Sequence, residues 1–175
     1  MLMRAVDLME KWIITTGFVV ATLLLFTNVV LRYLFDTGFT WVLEAVQYLF
    51  AWVVLIGAAH GVKEGVHLGI DILVERFSKP VRRRLALLAL SACLAFVSIV
   101  LWLSIDYTLR IREWGDLSLD LQIPQWIPYL AIPVGLSLML LHFLNVGMQI
   151  LRGEISSIHK REGTEHLEDI EEIYK

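Results

Sequence analysis

Cysteine is nearly absent: Cys93 is the only one, and it stands inside an apolar run. No disulfide framework, Cys-x-x-Cys pair or cysteine-rich metal site can therefore form within the chain. Charge is scarce as well. Only 19% of the 175 residues are Asp, Glu, Lys or Arg, against about a quarter in a soluble domain. There is no Walker loop, Gly-x-Gly-x-x-Gly fingerprint, His-Glu-x-x-His pair or Gly-x-Ser-x-Gly elbow. These absences argue against an enzyme, and no catalytic, cofactor-binding or metal-binding set is assigned. What the chain has in excess is apolar character, 57% of residues with a mean hydropathy of +0.66. The net charge of −3 says little, because the charges are segregated along the chain.

The apolar residues fall into four long runs. Residues 1–11 form a short polar lead, and Arg4 and Lys11 precede a run too long for a cleavable signal. From Trp12 to Leu31 there is no charge, about the length that crosses a bilayer. Arg32 and Tyr33 end this span, and Asp36 and Gly38 make Phe35–Thr40 a turn. The second span runs from about Trp41 to Val62, so the first two helices are an antiparallel hairpin. In residues 63–84, Val66, Ile70, Leu73, Val74 and Phe77 fall on one helical face and His67, Asp71 and Glu75 on another. This pattern predicts a short amphipathic helix lying at the membrane surface, ended by Pro80. The third span covers Leu85 to about Ile105, followed by a polar loop at 106–125. The fourth lies between Ile123 and Leu151, where Pro133 kinks the helix unless the span starts late. The expected fold is an all-α integral membrane protein with four transmembrane helices and an interfacial helix between spans two and three. Residues 1–155 are expected to form the transmembrane domain, and 156–175 an acidic cytoplasmic tail.

Lys and Arg set the orientation. The loop between spans two and three holds Lys63, Arg76, Lys79, Arg82, Arg83 and Arg84, whereas the opposite side has only Arg32, Arg110 and Arg112. Both termini are thus expected in the cytoplasm. Trp41, Trp114, Trp126 and Tyr129 then form an outer aromatic belt, with Trp12 at the inner interface. Trp52 fits neither belt and is expected to pack against a neighbouring helix.

Few residues in the spans can carry chemistry. Arg32 and Glu44 lie nearly symmetrically about the turn, so each could neutralise the other, or both could snorkel to headgroups. Gly57, Gly61, Gly65 and Gly69 recur every fourth residue. That spacing suits close helix approach, or simply loosens the exit from span two. His60 and His142 reach similar depth, as a bis-His haem would need, but no second pair supports that reading. His67 and Asp71 read as a surface i, i+4 contact. Asn28, Gln47, Ser91, Ser98, His142 and Asn145 are too sparse to line a solute pathway and suit joining helices or a partner. Without an internal repeat, the chain reads as an accessory subunit rather than a complete transporter.

The order of Leu31-Arg32-Tyr33, Trp41 with Glu44, Gly57-Ala58-Ala59, then Lys63, Gly65, His67 and Asp71, with Ile123–Pro133 after the outer loop, is informative. It resembles the small permease subunit of tripartite ATP-independent periplasmic (TRAP) transporters, the DctQ-like family. That family often has two adjacent acids after the Trp; here the first position is Leu43. The resemblance implies a multi-pass inner-membrane protein, a large sodium- and substrate-carrying permease as partner, and a periplasmic substrate-binding protein. It implies ion-gradient-driven uptake of an organic acid, such as a dicarboxylate or sialic acid, with this subunit bracing the large one. Contacts to helices or subunits are expected at Arg32, Trp41, Glu44, Gln47, Trp52, Gly57, Gly61, His67 and Asp71. Membrane lipid is the other expected partner, and nucleic acid is not one. The alternatives are a haem-holding anchor of an oxidoreductase and an assembly protein with no transport role. The charge asymmetry makes a first prediction: a topology reporter near Asp116 reads periplasmic, and reporters at Lys79 and Glu168 read cytoplasmic. Cytoplasmic labelling at Asp116 would overturn the four-span topology.

Overall fold

The computed structural model describes residues 2–63 and 79–152. It contains α1 (Leu2–Leu34), α2 (Trp41–Lys63), α3 (Lys79–Trp114), the single turn α4 (Trp126–Tyr129) and α5 (Ala131–Arg152). Four segments are long and apolar enough to cross a membrane: Val6–Leu34, Trp41–Val62, Arg84–Trp114 and Trp126–Arg152. The described residues are all-helical in architecture, with four spans. The stretch expected to form the interfacial helix, including His67 and Asp71, lies almost wholly outside the described residues, and so does the acidic tail.

Several boundaries differ from the sequence reading, each for a local reason. The polar lead is not separate: α1 begins at Leu2 and carries Asp7 and Glu10 on its first turns. Residues 106–114, expected to be loop, continue α3. No glycine or proline interrupts the chain between Val81 and Trp114, and Asp106 accepts a 2.8 Å hydrogen bond from Arg110 one turn on. Gly115, with φ of 71°, ends the helix in the left-handed conformation. Pro80 falls in the first turn of α3, where a missing N–H leaves no hydrogen bond unmade. Pro133 likewise sits in the first turn of α5, so that helix starts late and needs no kink. At the end of α1, Asp36 rather than Gly38 takes the left-handed conformation, and Thr37 N–H donates to the Leu31 carbonyl at 3.1 Å.

α1 packs on α2, α2 on α5, and α5 on α3. Val62 of α2, Leu90 and Val97 of α3, and Leu136 and Phe143 of α5 form the main core. Ala21 meets Val42 and Val46 between α1 and α2. α1 is the most peripheral span: 6% of its apolar window is buried, against 39% for the fourth span. Leu8, Met9, Trp12, Leu23 and Phe26, all more than half exposed, therefore face lipid or a partner.

Small residues set how closely the helices approach. A Cβ on Gly135 would stand 2.7 Å from the Leu55 Cβ and 3.1 Å from the Leu55 carbonyl carbon. One on Gly17 would stand 2.6 Å from a Val53 methyl. Gly57 does not serve this role among the described residues, because a Cβ on it would meet nothing within 4 Å. It is the side chains of α2 that fill gaps opened by glycines on its neighbours. Gly135→Ala should therefore push α2 from α5 and lower stability by about 1–3 kcal/mol. Gly57→Ala should be silent in the isolated chain. Thermal unfolding of both variants in detergent checks this, and equal effects would mean that α5 does not rest on Leu55.

Candidate functional site

Two carboxylates tie separate parts of the chain together, one at each end of the bundle. Glu10 is on α1, His60 on the last turns of α2, and His142 within α5. Glu10 is 2% exposed and His142 1%. The two Glu10 oxygens are divided between the rings: Oε2 lies 2.9 Å from His60 Nδ1 and Oε1 lies 2.8 Å from His142 Nε2. Each ring donates to the carboxylate, so these partners assign the proton to Nδ1 of His60 and Nε2 of His142. His142 Nδ1 has no hydrogen-bond partner among the described residues. With its proton on Nε2, that nitrogen is a bare lone pair rather than an orphaned N–H. A single side chain thereby ties α1 to both α2 and α5.

This geometry bears on the haem reading. His60 and His142 do face one another, but the Glu10 carboxylate fills the space between them, so the pair is a hydrogen-bonded staple rather than an axial ligand pair. Donor atoms of Asp7, Glu10 and His142 lie within 4.8 Å of one another, close enough to hold a metal ion. Both Glu10 oxygens are already engaged by imidazoles, and Asp7 comes within reach as the residue one turn before Glu10 on the same face of α1.

At the other end, residues 115–125 fold back on themselves. Ser118 N–H donates to the Ile123 carbonyl at 2.8 Å, and Gln125 N–H to the Asp116 carbonyl at 3.0 Å. Gln122, with φ of 55°, turns the chain and donates its side-chain amide to the carbonyls of Ser118 and Leu119. This turn aims three successive N–H groups the same way. Glu44 accepts all three, from Leu119 at 3.1 Å and from Asp120 and Leu121 at 2.8 Å each. Tyr48 O–H donates to the same carboxylate at 2.7 Å from one turn along α2. Successive backbone amides converging on a carboxylate form an anion-binding nest, filled here from within the chain.

The Arg32–Glu44 ion pair considered from the sequence does not form. Both Glu44 oxygens are committed to the loop, and Arg32 stands exposed on the last turn of α1. Symmetry about a turn gave similar depth but not a shared direction. Trp41 opens α2 with its ring 5.8 Å from Phe39. Gln47 is exposed; Trp52, Gly57 and Gly61 are partly buried. Four hydroxyls within the spans bond their own helices, Ser91 to Leu88, Ser104 to Leu101, Thr108 to Ser104 and Ser137 to Pro133. Asn28 Oδ1 accepts from Phe39 N–H at 2.9 Å.

Sequence reasoning missed Glu10 and the 119–121 nest. The available signal for Glu10 was a carboxylate one turn before an uncharged run, at the depth of two histidines. For the nest there was none, since it is made of backbone.

Fold and clusters define a multi-pass helical membrane protein whose interior polar groups are spent on joining its own parts. A family model described as the DctQ component of tripartite ATP-independent periplasmic transporters matches residues 21–153. The C4-dicarboxylate TRAP transporter small permease protein DctQ of Vibrio cholerae is 33% identical over 95% of this chain and 81% of its own length. The protein of the same name from Rhodobacter capsulatus is 41% identical over 66% of this chain and 51% of its own. The isethionate TRAP transporter permease protein DctMQ of Oleidesulfovibrio alaskensis is 29% identical over 66% of this chain but only 18% of its own length. The chain belongs to the DctQ family. It is a transporter component of the bacterial inner membrane, not an enzyme.

The Glu10 staple gives a quantitative test. Glu10→Ala orphans two ring donors, at about 1–3 kcal/mol each when buried. Glu10→Gln, which keeps one acceptor, should lose less. If the carboxylate and ring act together, Glu10→Ala with His142→Ala costs less than the sum of the single losses. Additive losses in thermal unfolding would mean that the two do not depend on each other. At the loop end, Glu44→Gln should speed amide exchange at Leu119, Asp120 and Leu121.

Proposed function

We propose that this chain is the small membrane subunit of a TRAP transporter for C4-dicarboxylates. In this reading it braces a large permease during ion-gradient-driven, sodium-coupled uptake, with substrate delivered by a periplasmic binding protein and both termini in the cytoplasm. The observation that carries the substrate class is the similarity to the V. cholerae C4-dicarboxylate subunit across nearly the whole chain. The long DctMQ relative, of which this chain matches a small part, supports a large permease as the working partner.

The bracing role draws on physical features. Ser104, Thr108 and Ser137 bond their own helices and Glu10 is held by two imidazoles, which suits a static support rather than a solute path. Leu43, Gln47, Val54 and Ala58 of α2 are all exposed and fall on one helical face. A glutamine amide facing lipid is costly, and the open space over Gly57 beside this stripe suits close approach of another helix. We place the large permease there. The nest-braced loop at 115–125 is a rigid surface suited to receive the binding protein.

Vesicle uptake of labelled succinate tests the reading. Vesicles holding this chain alone should show no sodium-driven uptake, and those holding it with the large permease and binding protein should. Uptake by the lone chain would overturn the accessory role. Gln47→Leu should weaken co-purification with the permease while leaving the isolated chain stable.

A further inference from the structure

Two contiguous cavities, of about 520 and 560 Å³, open around Arg32 at the loop end of the bundle. They share Asn28, Arg32, Asp36 and Leu43; one extends to Asp120 and the other runs along α1 to Leu25. The combined cleft is therefore polar and charged towards the loop and apolar towards the membrane interior. Its charges are unevenly used. Arg32 takes part in no hydrogen bond or ion pair among the described residues, and the carboxylate that might have neutralised it, Glu44, is filled by backbone amides. Asn28 has given its carbonyl oxygen to Phe39 N–H, which leaves its NH2 group as a donor.

A guanidinium at the end of a span sits at headgroup depth, and its planar fork matches a phosphate bidentately. An uncompensated cation there is completed by a lipid phosphate. The two acids of the cleft carry the argument further. Asp36 and Asp120 would repel a purely anionic headgroup, whereas an amine next to the phosphate would find carboxylate acceptors. We propose that this cleft binds one phospholipid of the adjoining leaflet with an ethanolamine headgroup. Its phosphate rests on Arg32 and Asn28, its ammonium on Asp36 and Asp120, and its glycerol and first acyl carbons along Leu25 and Leu43.

The test is native mass spectrometry of the full chain co-purified with its large permease. The complex is equilibrated with phosphatidylethanolamine and phosphatidylglycerol of matched acyl chains. The wild-type complex should retain phosphatidylethanolamine preferentially. Arg32→Gln should lower the bound fraction about tenfold, the scale of one charge-assisted hydrogen bond, and Arg32→Lys should restore much of it. Asp36→Asn with Asp120→Asn should keep a lipid bound but erase the preference for the amine. That variant decides the matter even if Arg32→Gln fails to fold. Equal retention of the two lipids by the wild type, or retention unchanged in Arg32→Gln, overturns the proposal.

Discussion

The Glu10 carboxylate, shared between His60 and His142, is the contact on which the arrangement of the helices rests. In lipid, apolar side chains gain little by meeting one another, because the acyl chains are as apolar as they are. Helices associate instead through close packing and polar contacts. One carboxylate that satisfies two rings on two other helices fixes three axes at once, at 2.9 and 2.8 Å. Its burial makes the arrangement all-or-none: if α1 moved away, two ring donors and a carboxylate would be left without partners in a region with little water. At the other end the same chemistry recurs with a different partner. Glu44 holds not a helix but the backbone of the loop between α3 and α4. Between these ends Gly135 and Gly17 let α5 and α1 close on α2. α2 thus carries a polar tie at each end and close packing between.

A bundle pinned in this way is a poor candidate for a moving gate. Ser104 and Thr108 of α3 and Ser137 of α5 are turned onto their own carbonyls, and the buried histidine is committed to Glu10. What remains unsatisfied lies on the outside: the apolar flank of α1, the Gln47 stripe of α2, and the aromatic flank of α3, where Phe96 and Trp102 are 67% and 75% exposed. For a family whose members serve as one component of a larger transporter, inward satisfaction with outward incompleteness is the expected division. The stable interior supplies a fixed shape, and the outer faces supply what the rest of the assembly covers.

The spans and their order were legible in the sequence because hydropathy over twenty residues is a long, redundant signal. The residues that matter most for the site were not. Glu10 belongs to a lead that looks polar only because Asp7, Glu10 and Lys11 are counted without their faces; in the helix, Glu10 turns inward to the histidines and Lys11 stays exposed. His60 and His142 were singled out for equal depth, correctly as neighbours, but what joins them is a third side chain 50 positions from one and 132 from the other. The Arg32–Glu44 pair failed for a related reason. Sequence spacing fixes height along a hairpin and leaves azimuth open, and a nest of backbone amides competes for a carboxylate without leaving any trace in side-chain identity. The glycines show the same limit: periodicity marked Gly57, whereas the contacts fell on Gly17 and Gly135, which belong to no repeat.

Ionisable groups in the spans can therefore be sorted by whether their partner is internal. Glu10 and Glu44 are spent: their partners lie in this chain, and their substitution acts on the fold. Arg32 is unspent, although it lies in the last turn of α1, where the helix dipole already favours a cation. That dipole interaction is worth only a few tenths to about 1 kcal/mol, too little to account for a guanidinium left in a polar cleft with Asp36 and Asp120 and paired with neither. The nest takes both oxygens of Glu44 inward to the loop, while Arg32 keeps its charge in the cleft at the end of α1.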